Sequence, residues 1–200
     1  QSVAFVNFPN TLAPSSLYKE EDAEAILAFN TEVKGKVLAD IIASQKAHLI
    51  YSVPDSILTI VSSFFPKAKQ KAQESMLIQQ YSQFNNNTEK VYLYLNQKKV
   101  IITVFKENKL VFNNSFDYIT KEDLLYFVLF SIEQLKLSPE DIAVTVFGSI
   151  EKNDEYFNLL YDYIRNIKLG KRPYQFIFPT GFDALAEHKY FGLFTQVLCV

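Results

Sequence analysis

The chain has 200 residues and a mass of 23.1 kDa, is 48% hydrophobic and 21% charged, and carries 18 Phe and 12 Tyr but no Trp. At that length roughly 70% of the unfolded surface can be buried, which allows one large domain or two small lobes and excludes disorder throughout. Twenty basic against 22 acidic side chains leave a formal charge of -2, so no global positive field draws the chain to nucleic acid or anionic lipid.

The single Cys199 excludes an intramolecular disulfide, and with two His it excludes a zinc site of four Cys or of two Cys and two His. No apolar run approaches the roughly 20 residues of a membrane-spanning helix. The expectation is a cytoplasmic protein with no transmembrane segment and no nucleic-acid partner.

Residues Val3 to Phe8 predict a strand and Pro9 to Ser16 a loop. A helix is predicted from Lys19 to Asn30, where Glu20, Glu21 and Asp22 place negative charge at the favourable end of the macrodipole. Val37 to Ile42 and His48 to Val53 are β-rich, and Pro54-Asp55 closes the second run. Ile57 to Phe65 has a helical stripe ended by Pro66, Lys67 to Ala72 is a short strand, and Ser75 to Phe84 a helix. Alternation puts Lys67, Lys69 and Lys71 on one strand face, a basic edge of the kind that blocks strand aggregation. The run Asn85-Asn86-Asn87 marks a boundary between a first lobe, residues 1–87, and a second, residues 88–200.

Past that boundary Val91 to Leu95, Val100 to Phe105 and Leu110 to Phe116 form an antiparallel meander with tight polar turns. Thr120 with Asp123 makes a capping box for a helix to Leu137. Ile142 to Phe147 is a buried strand, Asp154 to Ile167 a helix stopped by Gly170, and Tyr174 to Phe178 a strand. A closing helix from about Glu187 to Leu198 is a candidate to return to the first lobe.

The second half thus reads β-β-β-α-β-α-β-α, and the first half a similar unit, β-α-β-β-α-β-α, with its opening strands cut away. Two such α/β units make the actin-like ATPase fold, with ribonuclease-H-like lobes and mixed sheets. Four stretches carry a family resemblance from Phe8 onward: Thr11-Leu12-Ala13-Pro14 before Leu17-Tyr18, Lys109 to Phe116, Asp123 to Phe130, and His188-Lys189-Tyr190-Phe191 with Leu193-Phe194. In these the chain resembles the DUF3822 family of Bacteroidetes. Tyr51-Ser52-Val53-Pro54 and Val104 to Leu110 look, more distantly, like the pilus and secretion assembly members of the actin-like group.

No cofactor is predicted; ATP with magnesium is the nucleotide that the actin-like resemblance would bring, and remnants of a cradle for it fall on Asn96, Gln97 and Lys98 in the first hairpin and on Gly148-Ser149 after the buried strand. Actin-like enzymes place an acid and a Gly in that hairpin; here Tyr94 stands for the acid and Asn96 for the Gly, and Tyr cannot hold magnesium as a carboxylate does. Three functions follow. The first is a scaffold or protein-binding module with degenerate nucleotide loops and a protein partner. The second is a weak ATP binder, ATPase or sugar-kinase-like enzyme in which Lys98 contacts a phosphate. The third is an accessory factor of a membrane or secretion assembly.

No catalytic or metal-binding residue is assigned. Strand Val91 to Leu95 lacks the carboxylates a two-metal nuclease needs. Glu20-Glu21-Asp22 and Glu122-Asp123 stand at helix starts, and His48, His188 and Cys199 read as packing or solvated residues. Lys168, Lys171 and Arg172 form a basic patch expected at a helix C-terminus.

Overall fold

Hydrophobic alternation and turn chemistry build ten strands and six helices among the described residues of the computed structural model, which are residues 1–84, 88–173 and 176–199, without the side chains of Leu198 and Cys199. Two compact units divide the chain, Gln1–Gln83 with Thr195–Val200, and Phe84–Phe194. The Asn85-Asn86-Asn87 boundary signal lies outside the described residues.

In the first unit β1 (Ser2–Phe5) pairs in parallel with β5 (Lys69–Ala72), while β2 (Asn10–Pro14), β4 (Ala47–Val53) and β3 (Lys36–Ile42) form an antiparallel sheet in the order β2-β4-β3. The segment read as a loop therefore contains a strand. Pro14 ends that strand where it needs no further ladder donor, and the polar Asn10 and Thr11 hide the alternation. The predicted helix at Lys19 splits into a short 3-10 turn over Glu20–Asp22 and α1 (Ala23–Asn30), whose Ala23 and Leu27 pack with Ala13 and Ile50.

Helices α2 (Asp55–Phe64) and α3 (Gln73–Phe84) follow β4 and β5. At the start of α3 the buried Asp40 of β3 accepts from the Ala72 amide at 2.8 Å, the Ser75 hydroxyl at 2.5 Å and the Tyr51 hydroxyl at 3.3 Å. This carboxyl fastens β3, β4 and the β5–α3 junction together. Burial holds its pKa above the ordinary carboxylate value, against the lowering effect of those hydrogen bonds.

The second unit runs β6 (Lys90–Asn96), β7 (Lys99–Lys106), β8 (Lys109–Asp117), α4 (Lys121–Gln134), β9 (Ala143–Gly148), α5 (Glu155–Tyr163), β10 (Asn166–Leu169) and α6 (Phe191–Phe194). Its sheet has the order β10-β9-β6-β7-β8, with β6, β9 and β10 parallel and the hairpin strands antiparallel. Both hairpin turns are as tight as predicted: Glu107 and Asn108 take φ of 51° and 64°, and in the other turn it is Gln97, not Asn96, that takes the left-handed conformation at 55°.

One sheet face carries Val91, Leu93, Leu95, Val144, Val146 and Ile167 into a core shared with Leu124, Val128, Phe157 and Leu160 of α4 and α5. The capping box of α4 forms in full: the Asp123 amide donates to Thr120 Oγ1 at 3.1 Å, and Asp123 Oδ2 accepts the Thr120 amide at 2.9 Å. Those bonds hold the Asp123 carboxyl below its usual range.

The order β-β-β-α-β-α-β-α is thus present, but its last strand is elsewhere. The periodic run from Asp154 ends as helix at Tyr163, and Asn166–Leu169 is β10. Gly170 consequently stops no helix. It lies against the Phe147 ring, where a Cβ would come within 2.0 Å of a ring carbon. Of the strand predicted from Tyr174 to Phe178, residues 174 and 175 lie outside the described residues, and Phe176 to Phe178 are not in a strand. The closing helix is shorter than the reading from Glu187 to Leu198: α6 spans one turn, and a 3-10 segment, Thr195–Cys199, follows.

Candidate functional site at the carboxyl ends of β6 and β9

Ligands of open α/β sheets gather outside the carboxyl ends of parallel strands. In the second unit those ends are Leu95-Asn96 of β6 and Phe147-Gly148 of β9, with Leu95 and Gly148 in register. The structure brings together there all five residues the sequence singled out. Gln97 and Lys98 form the β6–β7 turn next to Asn96, while Gly148 and Ser149 turn back across the end of β6.

Gly148 has a φ of 93°, and a Cβ on it would lie 2.0 Å from the Leu95 carbonyl oxygen. Only glycine fits this close crossing. The amides around it are engaged within the unit: Gly148 donates to the His188 carbonyl at 3.0 Å, Ser149 to the Leu95 carbonyl at 2.7 Å, and Ile150 to the Gly148 carbonyl at 3.0 Å. His188 is buried, and its Nε2–H donates to the Ile150 carbonyl at 2.6 Å. Beside it Lys189 pairs with Glu151 at 2.8 Å, which lowers the Glu151 pKa and raises that of Lys189. The segment leading to α6 therefore takes the Gly148 amide, while β6 and the turn itself take the Ser149 and Ile150 amides.

The hairpin is fixed in the same way. The Tyr118 hydroxyl donates to the Gln97 carbonyl at 2.9 Å, and the Tyr118 amide donates to the Lys98 carbonyl at 2.8 Å. Lys98 Nζ donates to the Ile119 carbonyl and the Tyr156 hydroxyl, both at 3.0 Å, and lies over the Tyr118 and Tyr156 rings. Burial, with Tyr156 and Asp154 nearby, pushes the Tyr118 pKa up to about 12. Sequence reasoning missed Tyr118 and Tyr156, whose roles come from contacts 21 and 58 residues distant in sequence; His188, read as a packing or solvated residue, is a buried packing residue whose ring bonds Ile150, 38 residues away. Tyr94, standing where an acid was expected, is buried.

The profile of a protein family, "Protein of unknown function (DUF3822)", matches residues 2–167. The chain belongs to the DUF3822 family. The match ends short of the His188 to Phe194 stretch that also carried the resemblance. This DUF3822 chain has the actin-like ATPase fold: a crystal structure from Bacteroides thetaiotaomicron, of a protein with that fold and unknown function, superposes with a TM-score of 0.76 at 23% identity. The superposition covers 82% of this chain and 66% of that one, so the DUF3822 chain spans less than two thirds of its relative's length. An AlfA filament bound to AMPPNP is similar at a TM-score of 0.39 and 9% identity, over 86% of this chain and 53% of that one. No curated protein matches the sequence. Among the described residues no helix is long and apolar enough to cross a membrane, and no group of three or more His, Cys, Asp or Glu side chains is placed to hold a metal ion.

The remaining singled-out residues have local roles. His48 Nδ1 lies 3.1 Å from Ser15 Oγ, and its ring stacks on Tyr18 at 4.0 Å. The Cys199 side chain lies outside the described residues. Lys168 is in β10, so the basic patch with Lys171 and Arg172 sits on a strand and the loop after it, not at a helix C-terminus. Arg172 pairs with Asp183 at 3.8 Å and donates to the Phe182 and Leu185 carbonyls.

Proposed function

We propose that this protein is a non-catalytic actin-like module that works through contacts with another protein, its nucleotide loops having been converted into internal structure. The observation that carries the reading is the closure of the strand-end site: the Gly148, Ser149 and Ile150 amides each donate to a main-chain carbonyl, and Lys98 is spent on Ile119 and Tyr156. An oxyanion entering there must displace bonds already made inside the unit, each worth about 1 kcal/mol net, and must leave buried carbonyls unpaired. The actin-like fold by itself does not supply an activity.

Support for protein contacts comes from the outer face of α4. Tyr126 and Phe130, one turn apart, stack at 5.7 Å and remain 59% and 43% exposed. Paired exposed aromatics of this kind are the side chains that anchor protein interfaces.

The test has two arms. In the first, ATP with and without magnesium is added to the wild-type protein and to Lys98→Ala. The proposal expects no magnesium-dependent stabilisation and no phosphate release, and either one, lost in Lys98→Ala, overturns it. In the second, Tyr126→Glu/Phe130→Glu should lose the protein that wild type captures reproducibly from its own cells. Retention of the same partner by the variant refutes the assignment to α4.

A further inference from the structure

Side chains alternate across a strand, so the face of β6 and β9 opposite the α4–α5 core carries Lys90, Tyr92, Thr145 and Phe147. Lys168 of β10 follows the same alternation, and Lys171 comes just after that strand. These six side chains line a cavity of about 330 Å³ whose described lining belongs entirely to the second unit. The volume is at the lower end of small-molecule sites.

The walls combine two features. Tyr92, Phe84 and Phe147, the last stacked on Phe191 at 3.9 Å, give the wall its apolar part, while Lys90, Lys168 and Lys171 supply positive charge with no carboxylate among the described lining residues, Arg172 being paired with Asp183. Arg172 holds the neighbouring loop through its bonds to the Phe182 and Leu185 carbonyls, which makes it part of the wall. Lys90 donates to the Phe84 carbonyl at 3.1 Å, and burial, with the charge of Lys168 close by, lowers its pKa. Two ammonium groups repel each other across this partly desolvated space, and an anion between them relieves that cost.

We propose that this cavity binds a small organic anion, a planar apolar body with one phosphate or carboxylate head: the body against Tyr92 and Phe147, the head toward Lys90, Lys168 and Lys171. The site lies on the sheet face, shares only Phe147 with the strand ends, uses none of Asn96, Gln97, Lys98, Gly148 and Ser149, and needs no metal.

Fluorescence titration of the full chain with 1-naphthyl phosphate and with 1-naphthoate, both without magnesium, tests this and tells which head is taken. The expected result is that at least one saturates a single site below about 1 mM and binds at least about tenfold tighter than neutral 1-naphthol. Lys168→Glu/Lys171→Glu changes two exposed side chains, so it should keep its circular dichroism and thermal midpoint while losing at least about tenfold in affinity. Failure of both anions to saturate, equal affinity for 1-naphthol, or unchanged affinity in the double variant each overturns the proposal. Because the readout is magnesium-free, its failure is distinguishable from failure of the nucleotide test.

Discussion

At the scale of single residues, two positions carry the energetic argument. Gly148 combines a left-handed φ with a van der Waals overlap in waiting, the Leu95 oxygen 2.0 Å from any Cβ. Gly148→Ala is therefore expected to cost roughly 3 kcal/mol, from backbone strain together with displacement of the end of β6. Urea unfolding checks this, and a loss under about 1 kcal/mol would show that the crossing is loose. Asp40 makes the second case. Its pKa is raised in the fold, chiefly by burial, so the fold favours the neutral acid. That contribution is complete below the ordinary carboxylate value and is lost as pH rises through the raised one. Asp40→Asn cannot ionise and still accepts from Ala72, so wild type should lose stability relative to the variant on going from about pH 4 to pH 7. Parallel urea midpoints across that range would contradict the assignment.

At the scale of elements, local chemistry decided what the sequence could reveal. Thr120 and Asp123 announce the start of α4 because a capping box is written within four residues, and both its bonds are formed. Thr120→Ala should cost about 1 kcal/mol, read by urea unfolding followed at 222 nm, and a loss below about 0.3 kcal/mol would mean the cap is redundant. The three-strand meander was equally legible, since polar turns at Gln97-Lys98 and Glu107-Asn108 separate strongly apolar runs. Strands β2 and β10 were not. Each is short and half polar, and each is held by pairing with a distant strand, β4 or β9, that no window of local sequence contains. The helical stripe through Tyr163 and Ile164 ran into β10 without a breaker, so periodicity extended the helix too far.

At the scale of the whole molecule, the sheet order β10-β9-β6-β7-β8 and the superposition on the Bacteroides protein establish the actin-like ATPase fold; of that order, the meander β6-β7-β8 was readable from the sequence, and the parallel pairing of β9 and β10 was not. The candidate site was readable only as positions. Asn96, Gln97, Lys98, Gly148 and Ser149 do converge on the strand ends, but the groups that engage them, Tyr118, Tyr156 and the His188 carbonyl, arrive from the β8–α4 link, α5 and the approach to α6 respectively. The basic patch was visible as well, yet its meaning differs in the fold, where Lys168 lies in β10 and lines one cavity with Lys90 and Tyr92. On the proposed reading, the donors at these strand ends are spent on the unit's own backbone and cradle no phosphate.

The most direct test of that claim is thermal unfolding of the protein with millimolar ATP, comparing magnesium with chelator. Occupancy at about 100 times the dissociation constant would add roughly 2.7 kcal/mol, a rise of about 5 to 10 °C for a chain of this size. The closed strand-end site predicts a magnesium-dependent change of less than about 1 °C. A magnesium-dependent rise of about 5 °C or more, abolished by Lys98→Ala, would contradict it.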